Sequence, residues 1–364
     1  MPQIRSIQIL RATAALSVAF GHLQSESLSM PAAAASHFRP ILLDLTGAGV
    51  DLFFIISGFV MVYASHDLFE SAAGGRIFLR RRIARIVPLY WLTTTIFLAT
   101  MLLLPHAISS ARPTSFEIVK SYFFIPYAHA GTDDIRPIYK LGWTLNYEMF
   151  FYFVFAALLF LPMRWALSSI AALFLALVAM GVILSPAAGP VAFWTHPIIL
   201  EFVMGALLAA VFLRGQRLSP WLAFLLLLCG VSGFAATTIC GGDAHGAWRP
   251  LLWGVPALLI VAAAVLRDGT HGATPWPLGF LILLGDASYA LYLLHPLVIR
   301  ALRLIWDRLG LSLFVSPWVF VGSALLLIMP TAILLHLFFE RPMTRHIQKL
   351  LTMPRPSAST AAQA

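Results

Sequence analysis

The sequence predicts an all-α, polytopic membrane helix bundle. Composition is the first reason: of 364 residues, 60% are hydrophobic and only 11% are charged. Mean hydropathy is +0.87, and a soluble 40 kDa domain needs more surface charge than this chain carries. Repetition is the second: apolar stretches of about 20 residues, each long enough to cross a bilayer, recur along the chain. Charge is the third. The net +9 comes from Lys and Arg gathered between those stretches, a pattern of cytoplasmic loops rather than of nucleic-acid binding.

Ten spans are expected, over residues 8–25, 46–64, 86–105, 144–162, 166–184, 196–213, 220–238, 250–266, 278–298 and 316–338. An even number puts both termini on one side. With the N-terminus inside, inner segments hold fourteen Lys and Arg residues and outer segments nine, so the expected topology is N-in and C-in. Two outer segments are long, about 26–45 and 106–143. Residues 1–351 read as one integral membrane domain and 352–364, TMPRPSASTAAQA, as a disordered cytoplasmic tail. The AAAAS at 32–36 follows an apolar run as a signal-peptide cleavage site would, but Arg11 and His22 break that pattern. Cys229 and Cys240 have no metal or redox spacing. No internal repeat marks an inverted-repeat transporter.

Ionisable residues inside these spans are the candidates for function, because each is costly in hydrocarbon. Arg11 and His22 sit on the first. Eleven residues make three helical turns plus about 20°, so the two share one face about 16 Å apart along the axis. The plainer readings are snorkelling for Arg11 and an interhelical hydrogen bond for His22. Asp51 opens the second span, where a helix dipole alone would favour it. Glu148 lies about one turn inside the fourth, between Tyr147 and Tyr152, and Glu201 is placed similarly in the sixth. The ninth carries Asp286 and a stripe of Tyr289, Tyr292 and His295. An inner loop, RIFLRRRIARIVPLYW, holds Arg76, Arg80, Arg81, Arg82 and Arg85. It reads either as a topology signal with lipid contact or as a polyphosphate site, since the planar guanidinium suits phosphate oxygens. No nucleophile elbow, HExxH helix or Walker loop is present, and no metal site is expected.

Seven segments, in order, resemble the acyltransferase-3 family of bacterial membrane O-acyltransferases, and within it the exopolysaccharide acetyltransferase branch. They are LRATAALSVAFGH, GVDLFFIISGF, RRRIARIVPLYW, WTLNYEMFFY, LEFVMGALLA, SYALYLLHPL and FFERP. The resemblance implies transfer of an acyl group, usually acetyl, from acyl-coenzyme A to a carbohydrate hydroxyl across the bacterial inner membrane. It implies that Arg11 and His22 match the family's essential Arg and His. Some members carry an added esterase-like domain, so here the transfer is expected to finish at the membrane domain or on another protein. NYEMFF departs from a more common Ser-Val-Glu start, although Glu148 still aligns.

With that chemistry, Arg80, Arg81, Arg82 and Arg85 would dock the nucleotide of acetyl-CoA, a donor substrate rather than a resident cofactor. The pantetheine arm would run along the Arg11 face. His22 would take the proton of the sugar hydroxyl as general base. Glu148 or Asp51 would orient it or bind the sugar, with Tyr147, Tyr152, Glu201 and His295 as further sugar contacts. The expected partners are acyl-CoA, a carbohydrate acceptor and membrane lipid, with no nucleic acid. A glycan or small-anion transporter would also bury charges but would consume no thioester. A structural subunit of an assembly complex would show neither turnover nor flux.

Overall fold

The computed structural model describes residues 3–31, 38–103, 112–128, 135–186, 189–242, 246–267 and 276–352. Among these residues no strand forms; helices account for the architecture. The longer ones are α1 (Arg5–Leu28), α2 (Ala48–Ser65), α3 (Gly74–Leu103), α4 (Gly142–Leu158), α5 (Met163–Leu184), α6 (Ile199–Leu213), α7 (Pro220–Ile239), α8 (Val255–Leu266), α9 (Trp276–Asp286), α10 (Ser288–Arg308), α11 (Pro317–Leu335) and α12 (Arg341–Thr352). Seven helical stretches are long and apolar enough to cross a membrane: 43–68, 74–103, 163–184, 190–213, 220–239, 288–308 and 317–351. Two shorter apolar helices cover 250–266 and 277–286. The tail expected at 352–364 lies, beyond Thr352, outside the described residues, as do 104–105 of the third expected span and 32–37, 106–111 and 129–134 of the two long outer segments.

Two cores hold the bundle. The larger includes Phe54, Ile55 and Phe59 of α2; Phe54 stacks on Phe202 of α6, which stacks in turn on Phe151 of α4. The α2–α6 crossing is the most extensive helix pair, and two glycines explain it. A Cβ on Gly58 would collide with the Phe202 carbonyl, and one on Gly205 with that of Ile55, so each helix needs the other's glycine to approach. The smaller core joins α1, α10 and α11 through Ala12, Ala15, Ala19, Leu291, Phe320 and Ala324. Helix α1 contributes Ala14 and Val18 to the first core and this alanine stripe to the second, so it forms the seam between them. Outward faces are apolar: Leu175, Leu227, Val231 and Leu326 are exposed, as suits contact with lipid.

Three expectations need correction. The basic segment at 76–85 is not a loop. It is the first part of α3, which starts at Gly74, because nothing in RIFLRRRIAR breaks a helix and Pro88 is tolerated inside it. The span expected at 278–298 is two helices, α9 and α10, separated at Ala287. Gly285 lies where any Cβ would strike the Gln8 carbonyl, so α9 packs tightly on α1 just before the break. The last span does not stop at 338: after α11 a π-helical turn, His336–Glu340, carries the chain into α12.

Candidate functional site

A cavity of about 250 Å³ opens between α1, α2, α3, α4 and α10. Its size is a little below the usual range of ligand pockets, about 300–1,000 Å³. Arg11 enters it from α1, Ser57 from α2, Arg82 and Arg85 from α3, Glu148 and Tyr152 from α4, and Tyr289 and Tyr292 from α10. Helical spacing explains the α3 pair. Phe78, Arg82 and Arg85 follow one another at steps of four and three, which keeps them on one face. Arg82 is held there by ring faces, 5.4 Å from the Phe78 centroid and 5.8 Å from that of Tyr152. Arg80 and Arg81 fall on other faces, are exposed, and do not line the cavity. The four arginines that the sequence grouped as one phosphate site are therefore divided, two inside and two on the surface.

Three guanidinium groups face the cavity and one carboxylate, Glu148, opposes them. Such a space favours an anion. Glu148 is fixed from two sides: Ser57 Oγ donates to its Oε1 at 2.9 Å, and the Tyr152 hydroxyl donates to the same oxygen. Toward the other end, the Tyr292 hydroxyl meets Thr144 Oγ1 at 3.0 Å and Leu141 O at 3.3 Å. Tyr289 donates to the Ile86 carbonyl at 2.7 Å, tying α10 to α3.

Beyond Tyr292 lie two histidines. The His295 ring centroid is 6.1 Å from that of Tyr292. His295 is fully buried, and its Nε2 is 2.7 Å from Nδ1 of His22, which is itself exposed. Arg11 and His22 thus sit at opposite ends of one arrangement, the first in the cationic cavity and the second at a histidine pair.

The remaining candidates lie elsewhere. Asp51 and Glu201, both buried, converge on Arg249: its Nη2 is 2.9 Å from Asp51 Oδ1, and its Nε is 3.6 Å from Glu201 Oε1. Tyr147 is buried in the core, its ring stacked on Phe193 at 3.8 Å between centroids, and does not line the cavity. Neither Asp51 nor Glu148 touches His22. Sequence reasoning missed Arg249, counting it as an outer-loop charge. The available signal was that Asp51 and Glu201, each near the start of a span, need a cation at their level. Ser57, inside the second span, is a further site residue, since its hydroxyl anchors Glu148.

Comparison with known proteins gives the family. A family profile described as an acyltransferase domain, that of the acyltransferase-3 family, matches residues 4–337. The exopolysaccharide production protein ExoZ of Rhizobium meliloti (strain 1021) is 34% identical over 300 residues, covering 82% of this chain and 89% of the relative. Acyltransferase MdmB of Streptomyces mycarofaciens is 27% identical over 399 residues, covering 99% and 97%. No solved structure matches the chain.

Proposed function

The chain belongs to the acyltransferase-3 family and is a membrane acyltransferase, and from that premise we propose that it transfers acetyl from cytoplasmic acetyl-CoA to a hydroxyl of an extracytoplasmic or lipid-linked glycan. One observation carries the reading: Tyr292, which lines the cationic cavity, has its ring 6.1 Å from that of His295, so the histidine pair lies next to the cavity at the end away from the arginines. The phosphates of the donor bind at Arg11, Arg82 and Arg85, and its slender arm extends toward Tyr292. His22 removes the proton of the acceptor hydroxyl, the oxygen attacks the thioester carbon, and the coenzyme leaves as the thiolate, which takes up a proton. The exposure of His22 gives an acceptor access to it. Exopolysaccharide in the name of one relative supports a glycan acceptor.

The same reading places the chain in a bacterial inner membrane with ten crossings. The seven apolar stretches are joined by α1, α4 and the shorter helix at 250–266. Both termini then lie on the cytoplasmic side, where the basic residues are denser.

The test uses protein purified into lipid nanodiscs, supplied with acetyl-CoA and candidate polysaccharides. Release of free thiol with acetylation of the glycan is the expected result. Glycan or anion flux in proteoliposomes with no thioester consumed would make the protein a transporter instead.

A further inference from the structure

We propose that His295 is a positioning residue that fixes the tautomer of His22, leaving Nε2 of His22 as the nitrogen that accepts the proton. This deepens the proposed function and rests on its assignment of His22 as the base.

The argument starts from an acceptor that cannot donate. Nδ1 of His295 lies 3.1 Å from the Leu291 carbonyl, so that nitrogen carries the hydrogen. Pro296 reinforces the point. It has no N–H, so the Tyr292 carbonyl one turn back loses its helical donor and is open to the same His295 N–H. A neutral imidazole with hydrogen on Nδ1 has a lone pair on Nε2. That nitrogen is 2.7 Å from Nδ1 of His22. The hydrogen between them therefore belongs to His22, and its own Nε2 is left with a lone pair. The rings lie 22° from coplanar with centroids 5.0 Å apart, which fits a bond between ring edges.

The opposite assignment needs a cationic His295, with hydrogen on both nitrogens and no carboxylate beside it among the described residues. The groups around the pair offer no compensation. Tyr292 of α10 meets His295 through its ring, and the Tyr139 hydroxyl, from the segment before α4, donates to the Leu293 carbonyl. Arg136, whose charge acts on His22, is itself a cation. Glu26, one turn along α1, is 3.6 Å from Arg300 and 3.8 Å from Arg303. The arrangement has the logic of a base oriented by a partner that holds its Nδ1–H, with a neutral imidazole in place of a carboxylate.

Nitrogen-15 NMR of the histidine side chains in the detergent-solubilised wild type reads the tautomer directly, with His22→Ala used for assignment. His22 should show a protonated Nδ1 and an unprotonated Nε2 at neutral pH. In His295→Leu that preference should vanish, and kcat should fall roughly 10–100-fold, as when the partner of an oriented ring is lost, with acetyl-CoA binding unchanged. His295→Gln, whose side-chain carbonyl can accept from Nδ1–H, should recover much of both. A wild-type His22 with hydrogen on Nε2 overturns the proposal, even if His295→Leu fails to fold. So does a folded His295→Leu with full kcat. The NMR result is independent of turnover, so a His22→Ala protein that stays active would remove the base assignment while leaving the tautomer intact.

Discussion

Arg11 and His22 share one face of α1, about 16 Å apart by helical rise, yet they open onto different places: Arg11 lines the cavity and His22 meets His295. Substitutions at the two should therefore fail differently. Arg11→Ala should weaken acetyl-CoA binding. His22→Ala should leave that binding nearly intact and cost roughly 10²–10⁴ in turnover. Equilibrium binding and single-turnover rates on the purified proteins separate the two, and equal losses in binding would place His22 at the donor.

The division of the arginines on α3 gives a second expectation. Arg82→Gln and Arg85→Gln should each weaken acetyl-CoA binding about tenfold or more, since a charge-assisted contact contributes roughly 1.5–3 kcal/mol. Arg80→Gln and Arg81→Gln should stay within about threefold, the order expected for exposed charges. Comparable losses at all four would put the phosphates at the membrane surface, outside the cavity.

Around Arg249, two buried carboxyl groups face one guanidinium. Arg249→Met leaves both carboxylates without their cation, and breaking a buried pair in this way typically costs about 3–5 kcal/mol. Asp51→Asn and Glu201→Gln each leave one charge of either sign, so both should be milder. Glu201→Gln should be the milder of the two, as Glu201 is 3.6 Å from the arginine and Asp51 is 2.9 Å away. Thermal unfolding in detergent ranks the three, and an Arg249→Met protein as stable as wild type would contradict this account.

What the sequence revealed and what it concealed follow from the range of each interaction. Apolar composition and helical period are local, so the all-helical bundle and the shared face of Arg11 and His22 were legible. The division between Arg80, Arg81 and Arg82, Arg85 was hidden by a boundary error. Placing the third span at 86 left the arginines in a loop, whereas a helix from Gly74 assigns each a face. The close approach of Gly285 to the Gln8 carbonyl is a contact between segments far apart in the chain. The same holds for Arg249 with Asp51, 198 residues apart, and for His22 with His295, 273 apart. No periodicity reports such pairings.

Topology is testable with a native thiol. Cys240 is exposed at the end of α7, which the ten-span arrangement places outside, and Arg76 is exposed at the start of α3, placed inside. In a Cys229→Ser background, an impermeant maleimide should label Cys240 on intact cells. With Cys240 also replaced, Arg76→Cys should react only after permeabilisation. Labelling of both from the same side would remove the arrangement.

Glu148 supplies the last test, because its place in the cavity separates electrostatics from proton transfer. It accepts from Ser57 and Tyr152 and makes no contact with His22. If His22 is the base, turnover rises with pH as that imidazole loses its proton, and the rising limb vanishes in His22→Ala. Glu148→Gln should keep this limb at the same position. It should also tighten acetyl-CoA binding, because it removes the one carboxylate facing three arginines in a partly closed space. The amide still accepts from Ser57 and Tyr152 through its carbonyl oxygen, so the cavity wall is retained. Tighter binding with an unchanged limb identifies Glu148 as a group that limits the positive charge around the donor and lets it leave. A limb that disappears in Glu148→Gln while persisting in His22→Ala would transfer the role of base to the carboxylate.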